Sequence, residues 1–184
     1  MKRFVTIALF AAMAACRQPE PLPSYGAVQD FQLTDQNGQP FQGRTLEGKI
    51  WVADFIYTQC PGPCPRMTSQ MHQVQEATAK MSNVALVSFT VDPAHDSPTV
   101  LAAYAKAHHA QHERWYFLTG AQPALNQLCR NVFKLGNVDG SLEHSTRFVL
   151  VDAKSQIRGY YDTSERGSIP KLIEDIHVIA RERS

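Results

Sequence analysis

The chain has 184 residues, with 18 Lys and Arg against 17 Asp and Glu and a formal net charge of +1. That balance, with no basic stripe and no interleaving of aromatic and basic residues, excludes a nucleic-acid surface built on charge. The length suits one domain with one core, and the chain carries no internal repeat.

Lys2 and Arg3 precede an apolar run, Phe4 to Ala15, that closes on small residues. A positive start, a short apolar middle and a small-residue exit read as a secretory signal over residues 1–15. The run is too short to span a bilayer comfortably. Cys16 follows Met13-Ala14-Ala15 directly, which resembles a bacterial lipoprotein processing site, although Met13 stands where leucine is usual. In that reading Cys16 is lipidated, and residues 16–26, with Pro19, Pro21 and Pro23, tether the rest to a membrane. Ordinary signal cleavage is the alternative. Either way the chain is exported, where an oxidising environment permits a disulfide. Residues 27–184 then form the folded domain.

Phe31 to Phe41 reads as a hairpin turning at Asn37-Gly38. Ile50 to Tyr57 is almost wholly apolar and predicts a strand buried on both faces. A helix follows, about Pro63 to Met81, with Met67, Met71, Val74 and Thr78 on one stripe. Val84 to Val91 predicts a second central strand. Ser97-Pro98 predicts an N-cap and first helical position, with the helix running to about His109. Trp115 to Leu118 reads as a short strand and Gln122 to Val132 as a helix. Phe148 to Val151 and Ile157 to Tyr161 read as antiparallel strands, and Ile169 to Arg181 as the closing helix. This alternation, with a thiol pair after the first central strand, predicts an α/β, thioredoxin-like fold.

The candidate chemistry centres on Gly48 to Met67, GKIWVADFIYTQCPGPCPRM. Cys60 and Cys64 stand where the buried strand meets a helix start. The helix dipole and its N–H groups favour thiolate there, so two close, acidic sulfurs are expected. Pro61 and Pro63 fit a helix start. The pair also fits a structural disulfide, but sites in open α/β sheets lie at strand carboxyl ends. Thioredoxin-type pairs have two intervening residues; the three here leave room for an ion and still permit a disulfide.

His144 precedes the strand Phe148–Val151, in the loop that faces the thiols of a thioredoxin-like sheet. Thioredoxins place a proline in that loop, where this chain has Thr146. A lone loop histidine usually has no role, but this placement makes His144 a candidate ligand. Two thiolates and an imidazole suit copper in either oxidation state, and zinc accepts the same set. Asp92, after the second central strand, either belongs to turn chemistry or accepts a hydrogen bond behind a metal ligand. His108, His109 and His112 cluster at a helix end, with His95 nearby in sequence, and read as a solvated end bearing partly cationic imidazoles, with a secondary weak metal site as the alternative. His72 and His177 carry no evident partner, and Cys129 reads as a small buried residue.

Several stretches, taken in order, resemble the Sco family, also called SenC/PrrC. They are Phe31-x-Leu-Thr-Asp-x-x-Gly-x-x-Phe41, Phe55-x-Tyr-Thr-x-Cys-Pro-x-x-Cys-Pro65, Val91-Asp-Pro-x-x-Asp-x-Pro98, Trp115-x-Phe-Leu-Thr-Gly120 and His144 ahead of Val151-Asp152. The resemblance implies a thioredoxin-like fold with inserted β-hairpins and copper held by Cys60, Cys64 and His144. It implies delivery of that copper to the CuA centre of cytochrome c oxidase subunit II, or maintenance of that subunit's cysteines in reduced form. Three functions therefore stand side by side: a copper chaperone, a thiol–disulfide oxidoreductase using Cys60 and Cys64, and a copper-responsive redox sensor. The chain departs from the family in its anchor, lipid or none in place of a transmembrane helix, and in reading Asp152-Ala-Lys-Ser-Gln156 where Asp-Gly is usual.

Overall fold

The computed structural model of the chain describes residues 21–142 and 145–182. The signal reading and Cys16 lie outside the described residues, as does His144. Seven strands form one sheet: β1 (Gln32–Asp35), β2 (Pro40–Gln42), β3 (Ile50–Ile56), β4 (Val84–Thr90), β5 (Trp115–Thr119), β6 (Arg147–Val151) and β7 (Ile157–Asp162). Their spatial order is β2-β1-β5-β4-β3-β6-β7. β3, β4 and β5 run parallel at the centre, and β1, β6 and β7 join antiparallel.

Every residue of β3 and β4 is buried. A strand covered on both faces has no polar side, so its sequence is a continuous apolar run. Alternation divides those runs between two cores. Trp51, Phe55 and Phe89 face one core; Ile50, Val52, Ile56 and Leu86 face the other. Each such side chain contributes about 1.5–3 kcal/mol relative to exposure. The second core is roofed by α1 (Cys64–Ala77), α2 (Pro98–Ala107) and α4 (Ser168–Arg181). Met67, Met71 and Val74 of α1 and Leu172, Ile176 and Ile179 of α4 fill it.

The structure shortens one predicted helix and widens another. α1 ends at Ala77, not near Met81: the Thr78 hydroxyl donates back to the Val74 carbonyl at 2.7 Å, and Arg114 donates to the Thr78 carbonyl and hydroxyl. These bonds satisfy carbonyls that another turn would otherwise have taken. The helix after β5, α3 (Gln122–Asn126), widens into a π-helical turn over Gln127–Val132. The Phe133 amide donates to the Leu128 carbonyl, and the wider turn delivers the Phe133 ring among Trp51, Phe55 and Phe89.

The hairpin turns at Asn37-Gly38, with Gly38 at φ 76°, a conformation that suits glycine. Its strand β1 extends the sheet beside β5. At the other margin residues 22–28 dock on the start of β7. Tyr25 N–H donates to the Ile157 carbonyl and Ile157 N–H to the Gly26 carbonyl, while the Tyr25 ring packs edge-on against Tyr160.

Candidate metal centre

Parallel β3, β4 and β5 end on one edge of the sheet. The Cys60 turn follows β3 there and the 92–96 turn follows β4. β6 begins on the same edge, because its antiparallel register with β3 pairs Ala53 with Val149 and so brings Arg147 level with Phe55. The described chain therefore resumes at Ser145 on the edge that carries the thiols.

Cys64 is the first residue of α1, with Pro63 as its cap and Pro65 in its first turn. Cys60 stands ahead of the helix, its amide donating to the Tyr57 carbonyl at 3.3 Å. Both thiols are buried and reduced, in no disulfide. The Cys64 amide and thiol, the Gly62 amide and the Tyr57 hydroxyl all act on the Cys60 sulfur to favour its thiolate.

Two acidic sulfurs were expected, and the structure separates them. Burial pushes the Cys60 thiol up, but the Cys64 amide and thiol, the Gly62 amide and the Tyr57 hydroxyl outweigh it, leaving Cys60 below its ordinary value. Cys64 goes the other way. Burial beneath the helix raises it strongly, the Tyr57 backbone opposes only in part, and Cys60 and Asp54 add further increments. Of the two sulfurs, Cys60 is therefore the one whose thiolate form is favoured and Cys64 the one whose thiol form is favoured. The Tyr57 hydroxyl, which donates to Cys60, is raised in turn by that bond, by burial, and by the charges of Cys60, Cys64 and Asp92.

Below the pair sits Asp54. It is fully buried in the middle of β3, and neither carboxyl oxygen has a hydrogen-bond partner in good geometry among the described residues. Burial raises it from 3.8 to about 7, and the Ser88 hydroxyl, directly across the β3–β4 ladder, only moderates this. Ser88 is itself engaged by the Trp115 indole at 3.0 Å.

Asp96 is equally buried but fully partnered. It accepts from the Thr58 amide at 3.2 Å, the Thr58 hydroxyl at 2.5 Å and the Thr90 hydroxyl at 2.6 Å. This joins the turn leading to Cys60 to the turn after β4. Asp92 starts that second turn: the Thr90 hydroxyl accepts its amide at 2.9 Å, and its carboxylate takes Nδ1 of His95 at 2.9 Å. Asp92 pairs with His95 there, and the bond raises the His95 imidazole above its ordinary value.

His95 thus belongs to the thiol edge and is separate from His72 on α1 and from His108 and His109 just past the end of α2, which lie near one another. The His72 and His109 rings lie 6.1 Å apart, and Gln75 bridges His72 Nδ1 to the His109 carbonyl. The expected cationic end is corrected at His108: burial first, then His109 and His72, hold it below its ordinary value. Cys129 is wholly buried, and burial pushes its thiol up to about 12. Among the described residues no three His, Cys, Asp or Glu side chains converge as a metal site, and no helix is long and apolar enough to cross a membrane.

Sequence reasoning found the cysteines and missed Asp54, Tyr57, Asp96 and the pairing of His95. A signal existed for Asp54: a carboxylate alone in an otherwise apolar strand. Thr58 and Thr90, hydroxyls at the ends of two buried strands, pointed at a buried acceptor.

The SCO1/SenC family pattern matches residues 20–181. A SCO1/SenC family lipoprotein from Bacillus anthracis is similar with a TM-score of 0.78 and 30% identity, covering 88% of this chain and 98% of its own. BsSco, a member of the Sco family of cytochrome c oxidase assembly proteins in which a disulfide switch has been identified, gives 0.75 and 27%, covering 88% and 98%. Yeast Sco1 with copper bound gives 0.64 and 25%, covering 84% and 94%. A thioredoxin-like α/β sheet with a reduced cysteine pair at its carboxyl edge, matched by this family along nearly all of its described length, belongs to the SCO1/SenC family.

Proposed function

We propose that the protein is a copper chaperone that binds the ion through Cys60, Cys64 and His144. It delivers copper to the CuA centre of cytochrome c oxidase subunit II during oxidase assembly. One observation carries the reading: two buried, reduced cysteines share the carboxyl edge of the sheet, and the second acts on the first to favour its thiolate. Soft thiolates suit Cu(I), and an imidazole extends the set to Cu(II). Binding proceeds as each Cu–S bond forms and the thiol proton leaves to solvent, so loading releases protons and acid reverses it. Relatives support the ion and the setting: yeast Sco1 was solved with copper bound and BsSco is an oxidase assembly protein. Copper titration of the wild type against Cys60→Ser, Cys64→Ser and His144→Ala, followed by the thiolate-to-Cu(II) charge-transfer band, tests the ligand set. Each variant is expected to lose the band. Unchanged binding in any one removes that residue from the set.

A second reading, a thiol–disulfide oxidoreductase that keeps the oxidase cysteines reduced, is favoured by the split between a low Cys60 and a high Cys64. The disulfide switch of BsSco is in keeping with it. Metal-free turnover of a disulfide substrate, lost in Cys60→Ser, would support it. The protein works on the periplasmic face of a bacterial membrane, anchored through lipidated Cys16, as the Bacillus anthracis lipoprotein suggests. A diacylglyceryl adduct on Cys16 in mass spectra of the membrane fraction tests the anchor.

A further inference from the structure

His95 stands apart from His72, His108 and His109 in both place and bonding. Both carboxyl oxygens of Asp92 lie 2.9 Å from its Nδ1, so the ring is pinned by one nitrogen. Asp92 itself is well covered, its side chain 14% exposed, while 68% of the His95 side chain is open to solvent. Among the described residues Asp92 is the ring's one hydrogen-bond partner, which leaves Nε2 for an external ligand. A carboxylate on one imidazole nitrogen is how proteins orient a histidine toward a metal on the other, because it fixes tautomer and ring direction.

The turn that carries this pair is rigid and fixed to the thiol turn. The Asp92 carbonyl accepts from the amides of both His95 and Asp96, and Asp96 takes the Thr58 amide and hydroxyl two residues before Cys60. Cys60 and Asp92 also act on one shared group, the Tyr57 hydroxyl. An exposed, oriented imidazole therefore stands on the same edge of the sheet as the buried sulfurs, on a turn hydrogen-bonded to the one that presents Cys60.

We propose that His95, held by Asp92, is a transit ligand for copper: it takes the ion from solvent or a donor, passes it inward to Cys60 and Cys64, and receives it again on release. The step is ligand exchange with no change in oxidation state. A Cu–Nε2 bond forms first, with the Nε2 proton of an imidazolium leaving to water, and breaks as the Cu–S bonds form. His95 has no place among the resting ligands. A residue that lowers the barrier between two states accelerates both directions equally and leaves their equilibrium alone. This inference rests on the copper-binding reading above.

The test is exchange of Cu(I) between reduced protein and bicinchoninate, followed by the colour of the Cu(I)–bicinchoninate complex in both directions. His95→Ala removes the ligand; His95→Gln keeps bulk and a hydrogen bond to Asp92 but is a poor copper ligand. Both are expected to slow loading and unloading alike by about tenfold, the lower end of the effect of lost metal-orienting partners, with the ratio of the two rates preserved. Unchanged rates in both variants overturn the proposal, and so does weakened affinity with an unchanged loading rate, which would make His95 a resting ligand. If the wild type draws no copper from the complex, the copper-binding reading fails and this inference with it. Uptake through Cys60 and Cys64 at rates indifferent to residue 95 defeats the inference alone.

Discussion

The Thr58 hydroxyl donates to the Asp96 carboxylate at 2.5 Å, across 38 residues of sequence. With the Thr58 amide and the Thr90 hydroxyl on the same carboxylate, three donors replace its water. No cation is needed when hydrogen bonds satisfy a buried anion this fully. Removing the acceptor strands all three donors in a buried place, each costing roughly 1–3 kcal/mol. Asp96→Ala is therefore expected to lower unfolding free energy by about 3–5 kcal/mol. Asp96→Asn should cost less, since its amide oxygen still accepts and threonine hydroxyls can reverse. Urea unfolding checks this, a drop in midpoint at constant slope being the expected result.

Cys60 should react before Cys64. Thiolate attacks iodoacetamide and displaces iodide, and among the described cysteines only Cys60 is held below its ordinary value. Cys64 stays protonated under burial. Alkylation of the reduced protein at pH 7, followed by peptide mass spectrometry, should label Cys60 first and leave Cys64 and Cys129 for denaturing conditions. Tyr57→Phe removes one hydroxyl donor from the Cys60 sulfur, so its labelling should slow by up to about tenfold. Equal labelling of the two thiols in the wild type would contradict the separation.

Asp54 makes stability depend on pH in the direction opposite to most carboxylates. Its folded-state value, about 7, lies above the 3.8 of the open chain. Between those values the unfolded state sheds a proton that the folded state keeps. The contribution is whole below about pH 3.8 and is lost as pH rises toward 7. The gap corresponds to a few kcal/mol, on the order of 4. Asp54→Asn, which cannot ionise, should be more stable than the wild type at pH 7 and should lack this fall. Thermal unfolding of both proteins from pH 4 to 8 decides it, parallel curves being the adverse result.

The central strands were legible because burial on both faces demands an apolar run, and Ile50–Ile56 and Val84–Thr90 supply one. The Asn37-Gly38 turn and the Ser97 cap were legible because local chemistry dictates them: Gly38 takes positive φ, and the Ser97 hydroxyl accepts the Val100 amide. The cysteine pair could be placed by its position after a strand. Its splitting could not, since the Cys64 value depends on burial and on a carboxyl ten residues away, neither of which spacing reports. The bond of His95 to Asp92 was not legible, because closeness in sequence to His108 says nothing of which end of the sheet each occupies. The helix stop at Ala77 depended on Arg114, a partner from another element.

Arg158 supplies a last test, at the edge of the sheet remote from the thiols. Its guanidinium, on a side chain 11% exposed, reaches the Asp152 carboxylate at 2.8 Å and the Glu182 carboxylate at 3.4 Å. It also donates to the Leu22 and Pro23 carbonyls at 2.6 and 3.0 Å. Asp152 follows β6, whose end pairs with the start of β3 at Trp51, so this cluster lies a full strand length, roughly 20 Å, from the turn that presents Cys60. Arg158→Ala leaves one covered carboxylate without its cation and two carbonyls without a donor, a loss of about 2–4 kcal/mol. The amides of Tyr25 and Val28 should exchange faster with deuterium, because their bonds to the Ile157 carbonyl at the start of β7 and to the Ser155 carbonyl just before it lose the clamp beside them. Cys60 alkylation should be unchanged, since nothing in the thiol environment involves this end of the sheet. Faster exchange at Tyr25 together with altered Cys60 reactivity would mean that the two ends communicate through β3, contrary to the separation argued from register.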